Sequence, residues 1–290
     1  MSSYISHAAT RGYMTKIIIA GIVAVSLCAA AAAGAPLKFP ADGISRITTD
    51  IDMGTMRITG ASVNEVSIEI TDNDPARCAM TAKVQNGALN IKSESIQAQP
   101  SKTWSNLFGL FSSGKNGKNC KIAFNVTAPS ALPLDLHSAM GANTVASFSS
   151  NVQVHASMGS IAVSALTGDL VDLRDDMGEI SGSACAKELK VKSSMGGVNL
   201  TGLCGRADVD SSMGEVKMEW ARVPAAGEAA INASMGAIRL TFPPDAKLDV
   251  SFPSGMMSKV TNEFDEHAGA FKVHGKAGMG SVSILKATKN

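Results

Sequence analysis

The dipeptide Met-Gly recurs eight times in this 290-residue chain, and the spacing of the copies restricts the fold more than any other feature. The methionines are Met53, Met140, Met158, Met177, Met195, Met213, Met235 and Met279, each followed by glycine. From Met140 to Met213 the steps are 18, 19, 18 and 18 residues; the next is 22 and the last is 44, twice that length. A period near 20 is too long for a heptad and too short for a domain that folds alone. It suits one coil of a solenoid, in which each repeat becomes stable only by stacking on its neighbours.

The repeat unit reads as strand. In Val152-Gln-Val-His-Ala-Ser-Met-Gly-Ser-Ile-Ala-Val163, Val152, Val154, Ala156 and Met158 fall on one face and Gln153, His155 and Ser157 on the other. That is a period of two, not of 3.6. After Gly159 the apolar residues Ile161 and Val163 take the opposite parity, so the chain turns a corner at the glycine. The coils Leu189 to Leu200 and Ala207 to Met218 repeat the pattern, and glycines near 168, 182, 202 and 205 mark a second corner. The expectation is parallel strands about 4.8 Å apart with equivalent residues in ladders. An outward ladder three residues before each Met then runs His137, His155, Arg174, Lys192, Asp210, Asn232.

Composition narrows the possibilities. A 45% hydrophobic content supports a sizeable core, and with only 4% aromatic residues that core must be filled by small and medium aliphatics, as in a narrow solenoid. A net charge of +1 and the lack of a long basic block argue against a nucleic-acid partner. The three lysines between Lys115 and Lys121 read as a solvated turn.

The N-terminus has the form of a secretory signal. Arg11 and Lys16 precede an apolar run from Ile17 to Ala33 that ends in small residues, placing cleavage at Ala33. Lipidation at Cys28 and retention as a membrane anchor rank behind cleavage, because Leu27 is large for a lipoprotein site and the run falls short of the roughly 20 residues a span needs. Cys78, Cys120, Cys185 and Cys204 then remain, an even count that in an exported chain favours disulfides over a zinc site. Cys185 and Cys204 are 19 residues apart, one coil, so they are expected to pair on adjacent rungs, leaving Cys78 with Cys120 to staple an irregular stretch.

The chain accordingly divides into a signal peptide over 1–33, an N-terminal β segment and cap over 34–130 with an aromatic loop at 100–118, regular coils over 131–252, and a closing segment over 253–290. Expected strands in the N-terminal part are Ile44 to Ile51, Met56 to Ile58, Val66 to Ile70, Ala88 to Ile91 and Ile122 to Val126. The fold class is all-β: a single-domain parallel β-solenoid, or β-helix, of about 18–22 residues per coil. Asp52-Met-Gly-Thr-Met-Arg-Ile58, the Pro-led segments Val126 to Leu136 and Thr241 to Val250, the Ser-Met-Gly coils and Gly278-Met-Gly-Ser-Val-Ser-Ile284 together resemble the bacterial adhesin-like β-solenoid family of unknown function. The resemblance covers most of residues 40–287. It implies a periplasmic or surface role and supplies no catalytic residues. The chain departs from the family pattern in carrying Met where many members have a small polar residue.

Four groups of residues are candidates for chemistry. The Met-Gly pairs at 140/141, 158/159, 177/178, 195/196, 213/214 and 235/236 define the repeat: Met140, Gly141, Met158, Gly159, Met177, Gly178, Met195, Gly196, Met213, Gly214, Met235 and Gly236. Stacked thioethers suit Cu(I), but parity puts these methionines inward with the valines, so core packing is the expectation. His137 and His155 neighbour each other and are weak metal candidates for want of a third ligand. The carboxylates from Asp172 to Glu179, with Asp208 and Asp210, are weighed as a glycan-cleaving set, against ion pairing with Lys190 and Lys192 in the coil between. Trp104, Leu107, Phe108, Leu110 and Phe111 form either a cap or an exposed contact loop.

The reading is a non-enzymatic exported scaffold, adhesin-like, with no cofactor and with a protein, glycan or envelope surface as partner. A periplasmic copper-binding protein using Met or His ladders is the second reading and a carbohydrate-active enzyme the third.

Overall fold

The computed structural model describes residues 35–95, 120–253, 258–265 and 269–288. The expected signal peptide and the aromatic loop with Trp104, Leu107, Phe108, Leu110 and Phe111 lie outside these residues. The described chain is all-β, without a helix, and most of its strands pair in parallel.

The N-terminal part comprises β1 (Leu37–Pro40), β2 (Arg46–Ala61), β3 (Glu65–Asn73), β4 (Cys78–Gln85), β5 (Ala88–Ser95) and β6 (Lys121–Pro129). The repeat region follows with β7 (Leu134–Ala146), β8 (Val152–Leu166), β9 (Leu170–Met177), β10 (Ile180–Ala184), β11 (Glu188–Met195), β12 (Val198–Leu203), β13 (Arg206–Met213), β14 (Val216–Trp220), β15 (Gly227–Met235) and β16 (Ile238–Phe242). The chain closes with β17 (Leu248–Ser251), β18 (Ser258–Asn262) and β19 (Phe271–Lys286).

Each repeat contributes a segment before the Met and another after the Gly, and each segment stacks in parallel on its equivalents. The first ladder runs through β2, β7, β8, β9, β11, β13, β15 and β19. The second runs through the later halves of β2, β7 and β8, then β10, β12, β14, β16 and the later half of β19. Val152, Val154 and Ala156 before the corner and Ile161 and Val163 after it are buried, as are their counterparts in neighbouring rungs apart from the half-buried Gly182. Two apolar ladders thus face one core, which extends through the described chain.

At both ends of the stack the order in space departs from the order in sequence. β19, the last described strand, pairs with β15 and β16 on one side and with β17 and β18 on the other. The 44-residue step from Met235 to Met279 therefore spans no missing rung between them: Met235 pairs directly with Met279, and the intervening β17 and β18 are laid outside β19. At the other end β2 is flanked by β7 on one side and by β5 and β6 on the other. β4 and β3 then run antiparallel against β5 and β6, and β1 against β3.

The stretch between Cys78 and Cys120, expected to be irregular, contains a regular hairpin of β4 and β5. Its turn is Asn86-Gly87, with φ of 51° and 75°. Two successive positive φ values are what a two-residue hairpin turn needs to match strand twist.

An aromatic group fills the core toward the C-terminal end. Trp220 stacks on Phe242 with centroids 4.5 Å apart, and Phe264 and Phe271 meet Phe242 edge-on at 6.2 and 6.5 Å. The Trp220 indole N–H donates to the Gly205 carbonyl at 3.1 Å, satisfying its one polar atom inside the core.

Candidate functional site

All eight Met-Gly pairs stand in one unbroken column: Met53, Met140, Met158, Met177, Met195, Met213, Met235 and Met279 pair successively across the rungs. The glycines explain how the corner is made. Each takes a positive φ, between 129° and 156°, and lies against the backbone of the adjacent rung. A Cβ on Gly196 would stand 1.6 Å from the carbonyl oxygen of Gly178, and one on Gly178 would stand 1.3 Å from that of Gly159. Only glycine permits rungs to approach at that point.

The expectation that the methionines face inward is overturned. Met158, Met177, Met195, Met213 and Met235 are 39–41% exposed and Met279 is 47% exposed. Met53 and Met140 are partly covered. The cause is where alternation breaks. The last inward residue before the corner, Ala156, and the first after it, Ile161, are separated by Ser157-Met158-Gly159-Ser160, none of which is buried. Parity is lost before the Met, not after the Gly, and the side chain swings outside.

The inward position two residues before each Met carries Ile51, Ser138, Ala156, Asp175, Ser193, Ser211, Ala233 and Ala277 along the stack. One member of this column is a carboxylic acid, and Asp175 is only 1% exposed. Its Oδ1 accepts the Met177 N–H at 3.0 Å, while Oδ2 is buried without a partner. Burial pushes its pKa up to about 6; the Met177 hydrogen bond opposes the shift and the nearby Asp176 adds to it. Asn143, flanked in its column by Met56 and Ile161, is also buried and donates to the Ser138 hydroxyl at 2.8 Å.

The expected polar ladder is present in full: His137, His155, Arg174, Lys192, Asp210 and Asn232 are in register, and the column continues to Asp50 and Lys276 at its two ends. The His137 and His155 rings lie 5.7 Å apart, and His137 Nε2 is 3.0 Å from Asp135 Oδ1. Arg174 makes a two-point contact with Asp172, Nε to Oδ1 at 3.0 Å and Nη2 to Oδ2 at 2.7 Å, and this hydrogen bonding raises the guanidinium pKa further. These five side chains, with Gln153 and Val154, line a depression of about 230 Å³. Among the described residues no three His, Cys, Asp or Glu side chains converge in a way that would hold a metal ion.

Lys190 lies between Asp172 and Asp208 in the ladder, but its closest ion pair is with Glu188 of its own strand, at 3.0 Å. That hydrogen bond is the main cause raising the Lys190 pKa, with smaller contributions from Asp172 and Asp208. Asp210 accepts from the Asn232 amide at 3.1 Å. The carboxylates weighed as a glycan-cleaving set are thus dispersed: Asp172 is engaged by Arg174, Asp210 by Asn232, and Asp175 is inside. Both expected disulfides are formed, Cys78–Cys120 and Cys185–Cys204.

No curated protein matches the chain. Solved structures similar to it at low identity include the following three. A protein from Clostridium sporogenes ATCC 15579, provisionally named a cell adhesion protein, is 11% identical, with a TM-score of 0.30 over 87% of this chain and 100% of that one. A Bacteroides fragilis NCTC 9343 protein provisionally named an adhesin is 14% identical, with a TM-score of 0.36 over 87% of this chain and 96% of its own. A Parabacteroides distasonis ATCC 8503 protein provisionally named a lipid binding protein is 13% identical, with a TM-score of 0.41 over 88% and 98%. The family profile described as Toastrack DUF4097 matches residues 44–284, nearly the whole described stack from β2 to β19, and the chain belongs to that family.

Proposed function

We propose that this protein is a non-enzymatic, exported scaffold of the adhesin-like type, working in the periplasm or on the cell surface. In this reading its repeats are the coils of a parallel β-solenoid, each of 18–22 residues. The observation that carries it is the pair of in-register outer columns, one of thioethers and one of mixed charge, that run along the stack. Such columns present an extended, linear surface suited to a protein, glycan or envelope partner, with contact spread over many rungs. Two disulfides support export, because they persist in oxidising compartments.

The test has two parts. Fractionation of native cells should place the chain outside the cytoplasm with its cysteines oxidised. The purified chain fixed on beads should hold envelope fragments or glycans in a saturable way that free chain competes away. A cytoplasmic, reduced protein would remove the export reading, and product release in a glycan-cleavage screen would remove the non-enzymatic one.

A further inference from the structure

Outward columns of this stack vary freely in side-chain type, with one exception. Three positions before the corner the residues are Asp50, His137, His155, Arg174, Lys192, Asp210, Asn232 and Lys276. The methionine column does not vary at all over the same rungs. Its neighbour in the repeat, glycine, is fixed by the overlap that any Cβ would create. No comparable packing constraint holds the methionines, whose side chains lie outside the core and are 39–47% exposed from Met158 onward. These six side chains are partly covered by their neighbours in the column but do not enter the core, and other apolar side chains would serve for such partial cover; what sets the column apart is an unbroken row of thioethers.

We propose that this column binds soft monovalent metal ions, Cu(I) above all, between thioethers on adjacent rungs. Parallel strands are spaced by about 4.8 Å. Two metal–sulfur bonds of roughly 2.3 Å each nearly span that gap, so two stacked methionines can grip one ion in a linear arrangement. The three rotatable bonds of each side chain supply the remaining adjustment. Thioether is a neutral, soft ligand that suits Cu(I) and competes poorly for Mg²⁺ or Ca²⁺. The residues beside the methionines leave the approach open: Ser157, Ser194, Ser212 and Ser234 precede them, and Gly197 and Ala237 follow the glycines. Asp176, Glu179 and Glu215 add negative charge alongside, which favours a cation. The six exposed methionines are adjacent in succession from Met158 to Met279, so with two thioethers per ion and no thioether shared the expected capacity is three ions per chain. This inference is independent of the scaffold reading, which stands if it fails.

The experiment is an anaerobic Cu(I) titration of the full chain under ascorbate, against a coloured Cu(I) chelator as competitor, with a thiol count confirming that both disulfides stay closed. The expected result is three Cu(I) per chain with a Kd of about 1 µM or tighter. Replacing all six exposed methionines with leucine keeps apolar volume and removes sulfur; this variant should lose the binding while its melting temperature is retained. His137→Ala combined with His155→Ala should bind as the native chain does. The proposal is overturned by weaker binding in the native chain, by unchanged binding in the leucine variant, or by loss of binding in the histidine variant. Should the leucine variant fail to fold, X-ray absorption of the copper-loaded native chain decides: a shell of sulfur alone supports the proposal, and a shell of nitrogen or oxygen overturns it.

Discussion

Each glycine of the corner column occupies a position where a methyl group would overlap the carbonyl of the next rung, while the methionine beside it reaches into solvent. The two residues should therefore respond oppositely to substitution. Gly196→Ala places a Cβ 1.6 Å from the Gly178 oxygen and strains a φ of 137°; it is expected to cost about 3 kcal/mol or more, read as a lower urea midpoint. Met195→Ala is expected to cost less than about 1 kcal/mol, against the roughly 2–5 kcal/mol of a core methionine. Asp175 gives a pH signature. Its folded pKa of about 6 lies above the ordinary aspartate value of about 3.9, so the unfolded chain ionises first. The contribution of this group is constant below about pH 4, falls as pH rises through that interval, and is lower by on the order of 1–3 kcal/mol once the pH passes the folded value. Asp175→Ser, which matches Ser193 and Ser211 in the same column, should abolish this loss in urea melts at pH 4 and pH 7.5. The outward turn of the methionines was not legible beforehand, because a period of two holds only while a strand runs straight. Asp175 was hidden for a related reason: it stood among charged neighbours, and the side it faces depends on the column it joins.

Strands and crosslinks were read more successfully, because regular spacing carries over directly into register. The 19 residues between Cys185 and Cys204 correspond to one rung, and the bridge joins adjacent rungs as that spacing requires. In the chain-entropy account a loop of that length contributes about 3 kcal/mol, and the 42-residue loop closed by Cys78–Cys120 about 4 kcal/mol. Replacing Cys185 and Cys204 together by serine should lower unfolding stability by about the first amount in urea, without changing the strand signal in circular dichroism. Of the β4–β5 hairpin only the second strand, at Ala88 to Ile91, was expected, although the turn signal was present: Gln85-Asn-Gly-Ala88 lies between alternating segments. The aromatic group at Trp220, Phe242, Phe264 and Phe271 was not legible at all. Trp220 and Phe242 are far in sequence from Phe264 and Phe271, and the stacking of β14, β16 and β19, with the link after β18 that carries Phe264, brings them together.

Across the whole molecule, the order of rungs is what the spacing could not reveal. A 44-residue step looks like two coils in succession, whereas the chain places β17 and β18 outside β19. Truncation after residue 265 should therefore remove one rung, β19, and free a second, formed by β17 and β18. Hydrogen exchange is expected to show β17 and β18 losing protection once β19 is deleted, because their only strand partner among the described residues is β19. Protection confined to its native pattern in the truncated chain would contradict this arrangement.

The same arrangement determines how the protein meets mechanical load. Repeat arrays ordinarily peel from a free edge, one unit at a time. Here a pull transmitted through the chain past β19 draws on a strand gripped along both sides, by β15 and β16 on one flank and by β17 and β18 on the other. β2 is held likewise near the opposite end. Tension applied there must shear two rows of backbone hydrogen bonds together rather than unzip one.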